Sequence, residues 1–196
     1  MIGDNRDRLL EAGIQLLSEK TFSEISMDQV ADRSGVSKPM IYYYFSNKEG
    51  YYRALAEHLL KMAREMTRRL YDPERSLREN LVKYVDFRIR FIEENPGITS
   101  AFMSIITDPN IGMLINEIQE EFDVMRMEFV DPMFDRAEER GEVVPGVNRQ
   151  IVMMMLNSLL VSYTVKRTNR LCDQEELDPA EVVDIIFSGI SAIREE

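Results

Sequence analysis

Between Ser26 and Lys48 the chain reads SMDQVADRSGVSKPMIYYYFSNK, and this stretch limits the fold more tightly than any other. Ser26 followed three residues later by Gln29 has the spacing of a capping box, which predicts a helix from Met27. Met27, Val30 and Ala31 then fall at i, i+3 and i+4 as one buried stripe. Gly35 stands where the chain reverses, a position that favours positive φ. Ser37 is expected to cap the next helix, and Pro39 lies in its first turn, where a missing N–H costs little. Ile41 and Phe45 face inward, leaving Lys38, Met40, Tyr43 and Tyr44 outward or sideways. Ser46 and Glu49 repeat the capping-box spacing and predict a third helix. Two short helices joined by a tight turn make a helix-turn-helix, whose second helix fits a DNA major groove. The run YYYF sharpens that expectation, because exposed phenolic hydroxyls suit phosphate and sugar contacts.

Charge looks like an objection. The 196 residues carry a net −11, whereas a DNA-binding domain is expected to be basic. The distribution answers it: residues 1–60 carry −2 and the remainder −9, while residues 33–53 carry +3 from Arg33, Lys38, Lys48 and Arg53 against Glu49. An acidic body with a local positive patch reads as solubility with weak non-specific DNA affinity. The composition, 44% hydrophobic and 30% charged, is that of an ordinary soluble protein. No apolar run approaches the roughly 20 residues of a membrane span, and MIGDNRDRLL lacks the plan of a signal peptide, so a cytoplasmic location is expected. One cysteine, Cys172, and one histidine, His58, leave no internal disulfide or metal cluster. With no GxGxxG, phosphate loop, HExxH or serine–histidine pairing, neither an enzyme nor a cofactor is expected.

Helical periodicity covers the rest. Leu9, Ala12, Gly13, Leu16 and Leu17 give the first helix, about 6–19, an apolar face to back the helix-turn-helix. A connecting helix of about 47–70 carries Tyr51, Leu55, Leu59, Met62 and Met66 in one stripe. Asp72-Pro73 is expected to stop it and cap the next, an apolar helix through Leu77, Leu81, Val85 and Ile92. A short helix with Ile98 and Phe102 follows, then a long one opened by Asp108-Pro109-Asn110, with a kink or break near Val130 ahead of Pro132. The last two helices, about 149–168 and 178–194, are apolar on more than one side and need a second covering surface. The fold class is therefore all-α: a three-helix helix-turn-helix domain over 1–48 and a helical bundle over 49–196, about nine helices in all.

The run from Leu9 to Leu55, through LLEAGIQLLSEKTF, SMDQVADRSGVSKPMIYYYFSNKEG and YYRAL, resembles the DNA-binding domain of the TetR family of transcriptional regulators. Beyond it only helix lengths and spacings agree, with GEVVPGVN similar to the loop before that family's penultimate helix. Thr21 stands where the family usually has Gly, and Met40 where it usually has a small residue, which bears on the DNA sequence read. The resemblance implies a homodimer on a near-palindromic operator, released by a small-molecule effector. Lys38, Pro39, Met40 and Tyr43 are then the expected base contacts, and Ser26, Ser37, Tyr42, Tyr44 and Lys48 the phosphate contacts. The methionines and aromatics of the second half suit a plastic apolar cavity, with Met62, Met66, Phe91, Phe102, Met125, Phe129 and Met154 as lining and Arg88 as a counter-ion. The resemblance places the dimer seam on the last two helices, through Leu159, Val161, Tyr163, Val183, Ile186, Phe187 and Ile190. A helical ligand-binding or protein-interaction bundle with a vestigial helix-turn-helix is the alternative.

Overall fold

The capping box works as its spacing requires. Ser26 Oγ accepts from the Gln29 N–H at 3.2 Å, and Gln29 Oε1 accepts from the Ser26 N–H at 3.0 Å. In the computed structural model, which describes residues 5–106, 112, 115–168 and 177–190, this box opens α2 (Met27–Ser34). Ahead of it lies α1 (Asn5–Leu17), and beyond it α3 (Lys38–Phe45), α4 (Lys48–Arg68), α5 (Leu77–Glu94) and α6 (Pro96–Ile106). The remaining helices are α7 (Ile115–Met125), α8 (Asp131–Glu139), α9 (Arg149–Thr168) and α10 (Pro179–Ile190). The side chains of Ile106, Ile115, Glu117, Thr168, Gly189 and Ile190 are outside the description, as are the expected cap at Asp108-Pro109-Asn110, Leu114, Cys172 and the chain past Ile190.

The chain folds into two compact units, and they do not follow chain order. One comprises residues 1–63 and 95–121, the other 64–94 and 122–196.

In the first unit Leu9, Leu16, Val30, Ile41, Phe45, Tyr51, Leu55 and Leu59 form one core. Burial of each such side chain is worth about 1.5–3 kcal/mol. α1 and α4 cross closely because Gly13 lacks a side chain: a Cβ there would collide with the Tyr51 hydroxyl and Leu55. That hydroxyl donates to the Leu9 carbonyl at 2.7 Å, and its burial raises its pKa far above the usual phenol range. α6 joins this unit. Ala101 and Ile105 enter its core, and the Ser104 and Ser100 hydroxyls donate to the Leu17 and Ser18 carbonyls at 3.2 and 3.4 Å. Those are carbonyls that the end of α1 leaves without helical partners. Thr21 takes up an extended backbone, φ −72°, and its N–H and hydroxyl both donate to Glu24, which tightens a 3₁₀ turn. A β-branched residue is thereby kept out of the left-handed region that a terminal Gly would occupy.

The second unit is built on α5, whose Leu77, Leu81, Val85, Ile89 and Ile92 share a core with Phe134 of α8, Val152, Leu156 and Leu160 of α9, and Val182 and Val183 of α10. Its cap is Ser76, not Asp72: Ser76 and Glu79 close a capping box, while the Asp72 backbone pairs with the Asn80 side chain. The break expected near Val130 takes the form of one π-helical turn, Arg126–Val130. Pro132 has no N–H to offer the fourth carbonyl back, and the Asp131 N–H reaches the Arg126 carbonyl, five residues away. α7 and α8 are thus one rod with a widened turn, which brings ten helical segments to nine rods among the described residues.

Candidate nucleic-acid interface

α2 and α3 meet at Gly35, which adopts φ +66° in the left-handed region where glycine is free to sit. α3 then buries Ile41 and Phe45, and its outward face is Pro39, Tyr42 and Tyr43, followed by Ser46. Tyr43 is 78% exposed and Tyr42 43%, on a helix whose inner face is fixed in the core. Large exposed aromatics beside charge are an expensive surface for solvent alone and a ready one for nucleic acid.

Two expected caps differ, and the expected contact residues differ in how far they project. Ser37 does not cap α3 with its side chain. Pro39 removes one N–H that such a cap would bind, and the Met40 N–H goes to the Ser37 carbonyl at 2.9 Å. The Ser37 hydroxyl is left exposed at the helix N-terminus, where an anion is favoured. Ser46 ends α3 at φ +65°, and Asn47 caps α4 in its place, its Oδ1 accepting from the Gly50 N–H at 2.6 Å. Met40 and Tyr44 are half-buried and packed against the core, so neither projects as far as Tyr43. Ser26 is exposed and occupied in its capping box. Lys48 Nζ lies over the Phe22 ring at 4.7 Å and donates to the Ser23 carbonyl at 3.3 Å.

The local +3 is smaller in space than in sequence. Arg33 is clasped by Glu19 through two bonds of 2.9 and 3.1 Å, and Lys38 Nζ lies 2.9 Å from Asp28 Oδ2. Both acidic partners fall outside the stretch that gave the tally. The bond to Asp28 holds the Lys38 ammonium above its ordinary pKa.

The other predicted positions are scattered. Met62 and Phe102 pack against the core of the first unit. In the second unit Met66 and Met125 are half-buried, Phe129 is buried in the π turn, and Phe91 lies 5.9 Å from Phe87. Met154 is 60% exposed. Arg88 donates to the Tyr84 hydroxyl at 2.8 Å, which shares a 2.8 Å bond with Asn157 Oδ1, whereas Arg90 takes Asp86. A cleft of about 380 Å³ in this unit involves none of the predicted ligand residues; Arg78, Val82, Lys83 and Asp86 of α5 line it with Pro179 and Ala180 of α10. Of the expected seam, Tyr163 and Val183 belong to the unit's own core, Tyr163 donating to Glu93 at 2.7 Å, and Leu159, Ile186 and Phe187 lean on that core. The exposed apolar stripe runs through Val161 of that seam together with Ile151, Met154, Met155 and Val165 of α9, with Ile185 of α10 70% exposed. His58 is half-buried, and burial lowers its pKa. Among the described residues no group of three or more His, Cys, Asp or Glu side chains converges as metal ligands would, and no helix is long and apolar enough to cross a membrane.

An all-α chain that carries a capped helix-turn-helix with an outward aromatic face has the arrangement that helix-turn-helix proteins present to a DNA major groove. Comparison with known proteins supports this. Residues 9–55 match the model described as bacterial regulatory proteins, tetR family. The chain is 35% identical over 85 residues to the HTH-type transcriptional regulator EthR of Mycolicibacterium smegmatis, a match that covers 40% of this chain and 39% of that one. The chain thus spans less than half the length of that relative. It is 28% identical over 190 residues to the Bacillus subtilis HTH-type transcriptional regulator YdeS, covering 95% of this chain and 88% of the other. A TetR-family regulator structure from Rhodococcus superposes with a TM-score of 0.78 at 18% identity, covering 94% of this chain and 100% of that one. Residues 9–55 thus match that family's model, and the chain shares its fold with solved structures of TetR-family proteins.

Proposed function

We propose that this chain is a ligand-responsive transcriptional repressor that binds a near-palindromic operator as a homodimer and leaves it when a small apolar or amphipathic effector binds. In this reading residues 1–48 read DNA and residues 49–196 dimerise and take the effector. The observation that carries it is the α3 face, where Pro39, Tyr42 and Tyr43 stand out from a helix anchored by Ile41 and Phe45. A dimer seated there excludes other proteins from the DNA it covers, which is the simplest route to repression. Purified protein should therefore enrich, from a random duplex pool, sequences with an inverted repeat whose half-site centres lie about 34–36 Å apart. A pool that returns no repeat after several rounds would remove the reading.

The effector half of the proposal rests on connectivity. α4 contributes Tyr51 and Leu55 to the core of the first unit and continues to Met66 in the second. Met66→Trp overpacks a half-buried site, at a cost of roughly 1–3 kcal/mol, the size of a typical allosteric coupling energy. The variant should stay folded and bind the enriched duplex roughly 5- to 150-fold more weakly, with Met66→Leu as the near-isosteric control. Wild-type affinity in a folded Met66→Trp variant would show that this end of α4 does not influence the reading helices.

A further inference from the structure

Lys38, at the head of the reading helix, already has an anionic partner. Its Nζ lies 2.9 Å from Asp28 Oδ2, a residue ten positions earlier in the first turn of α2. Both side chains reach solvent, Lys38 at 43% and Asp28 at 69% exposure. An ion pair this exposed adds little to stability, and α2 and α3 are already held together by Met27, Val30, Ile41 and Phe45 in one core. The pair is therefore poorly explained as a staple between the helices. Its consequence lies in what Lys38 can offer to DNA.

We propose that Asp28 is a built-in competitor for Lys38: it occupies the ammonium as a phosphate oxygen would, and it gives Lys38 up only to an operator held in register by the rest of the interface. The inference rests on the DNA-binding reading above. Non-specific affinity comes almost wholly from cationic side chains that neutralise phosphates and release counterions. A lysine already neutralised by its neighbour adds no net charge to that process. On the operator, side chains such as Tyr43 fix the register, and exchanging Asp28 for a DNA oxygen is then repaid by geometry. Asp28 thus widens the gap between specific and non-specific binding, a discrimination achieved by penalising the wrong partner.

The test is a gain of binding, which misfolding cannot mimic. Asp28→Asn should bind a mixed-sequence duplex about two- to fivefold more tightly, the equilibrium worth of an exposed pair. The slope of log affinity against log salt should steepen by about 0.9 for each subunit that contacts the duplex, one added phosphate contact apiece. Affinity for the enriched operator should rise less, so that the specificity ratio falls. Glu139→Gln, which removes the same charge from α8, should behave as wild type. In a Lys38→Ala background the gain from Asp28→Asn should vanish. Unchanged non-specific affinity and slope would overturn the proposal, and so would a gain that survives in the Lys38→Ala background. Weaker operator binding with unchanged non-specific binding would also overturn it and make Asp28 a reader of bases. Wild-type protein that binds no duplex at all would remove the underlying DNA-binding reading, which the wild-type titration reports separately.

Discussion

Replacing Lys38 and Tyr43 together by alanine should abolish operator binding and leave the helical circular dichroism and oligomeric state unchanged. Tyr43 is the most exposed aromatic of α3 at 78%, and Lys38 pairs with the more exposed Asp28 at the surface. Neither side chain belongs to the core, which runs through Ile41 and Phe45. The double substitution removes two contacts from each half-site and four from a dimer. Losses of this kind lower affinity by roughly a thousandfold or more. If Lys38 meets a phosphate, the lost affinity is shared by all sequences and the salt slope becomes shallower by about 0.9 per subunit, about 1.8 for the dimer. If Tyr43 supplies register, the loss is greater on the operator than on mixed DNA. Titration of both duplexes at several salt concentrations separates the two. Unchanged operator affinity in a folded double variant would show that this face of α3 does not read DNA.

The helix-turn-helix was legible because its signals are local. A capping box needs only residues i and i+3, and the turn needs only a residue free to adopt φ +66°, so Ser26, Gln29 and Gly35 announce themselves. The same locality explains the misassignments. Ser46 and Asn47 are both good capping residues and stand side by side, and the choice falls to Asn47 because Ser46 is committed to closing α3 at φ +65°. Ser76 and Glu79 have the same box spacing as Ser26 and Gln29, but Asp72, four residues earlier and followed by Pro73, is a competing local signal. What depends on distant residues had no local signal. The Asp28–Lys38 and Glu19–Arg33 pairs span ten and fourteen residues and require the finished turn. The docking of α6 beside α1 turns on two serine hydroxyls that reach carbonyls more than eighty residues away. Periodicity marked α9 as apolar on more than one side but could not say which stripe faces its own unit. The structure assigns Val152, Leu156, Leu160 and Tyr163 to the inside, and Ile151, Met154, Met155, Val161 and Val165 to the surface.

That surface stripe sets the second large effect. Ile151, Met154, Met155, Val161 and Val165 lie on one face of α9 across four turns, with the small exposed Ser158 between them, a placement that suits a helix–helix seam. Monomeric soluble proteins rarely leave so many large apolar side chains on one helix face to water. A second copy of the same chain can cover it through a two-fold contact in which each substitution is met twice. Val161→Glu should therefore place two carboxylates in the seam, each desolvated and without a cation. A lone buried charge typically costs about 3–5 kcal/mol, enough to turn a micromolar dimer into monomers at working concentrations. Val161 is a cleaner choice than Leu159, which leans on the core of its own unit, so that a charge there would confound folding with assembly. Each monomer keeps its reading helix yet loses the effective concentration that a linked partner supplies, and operator affinity should fall by roughly 10²- to 10⁴-fold. Mixed-sequence DNA should be far less affected, because its binding does not depend on two half-sites in register. Val161→Leu should retain both assembly and affinity. Light scattering is the deciding measurement: wild-type protein that remains monomeric at micromolar concentration, or a Val161→Glu variant that remains dimeric, would move the seam elsewhere.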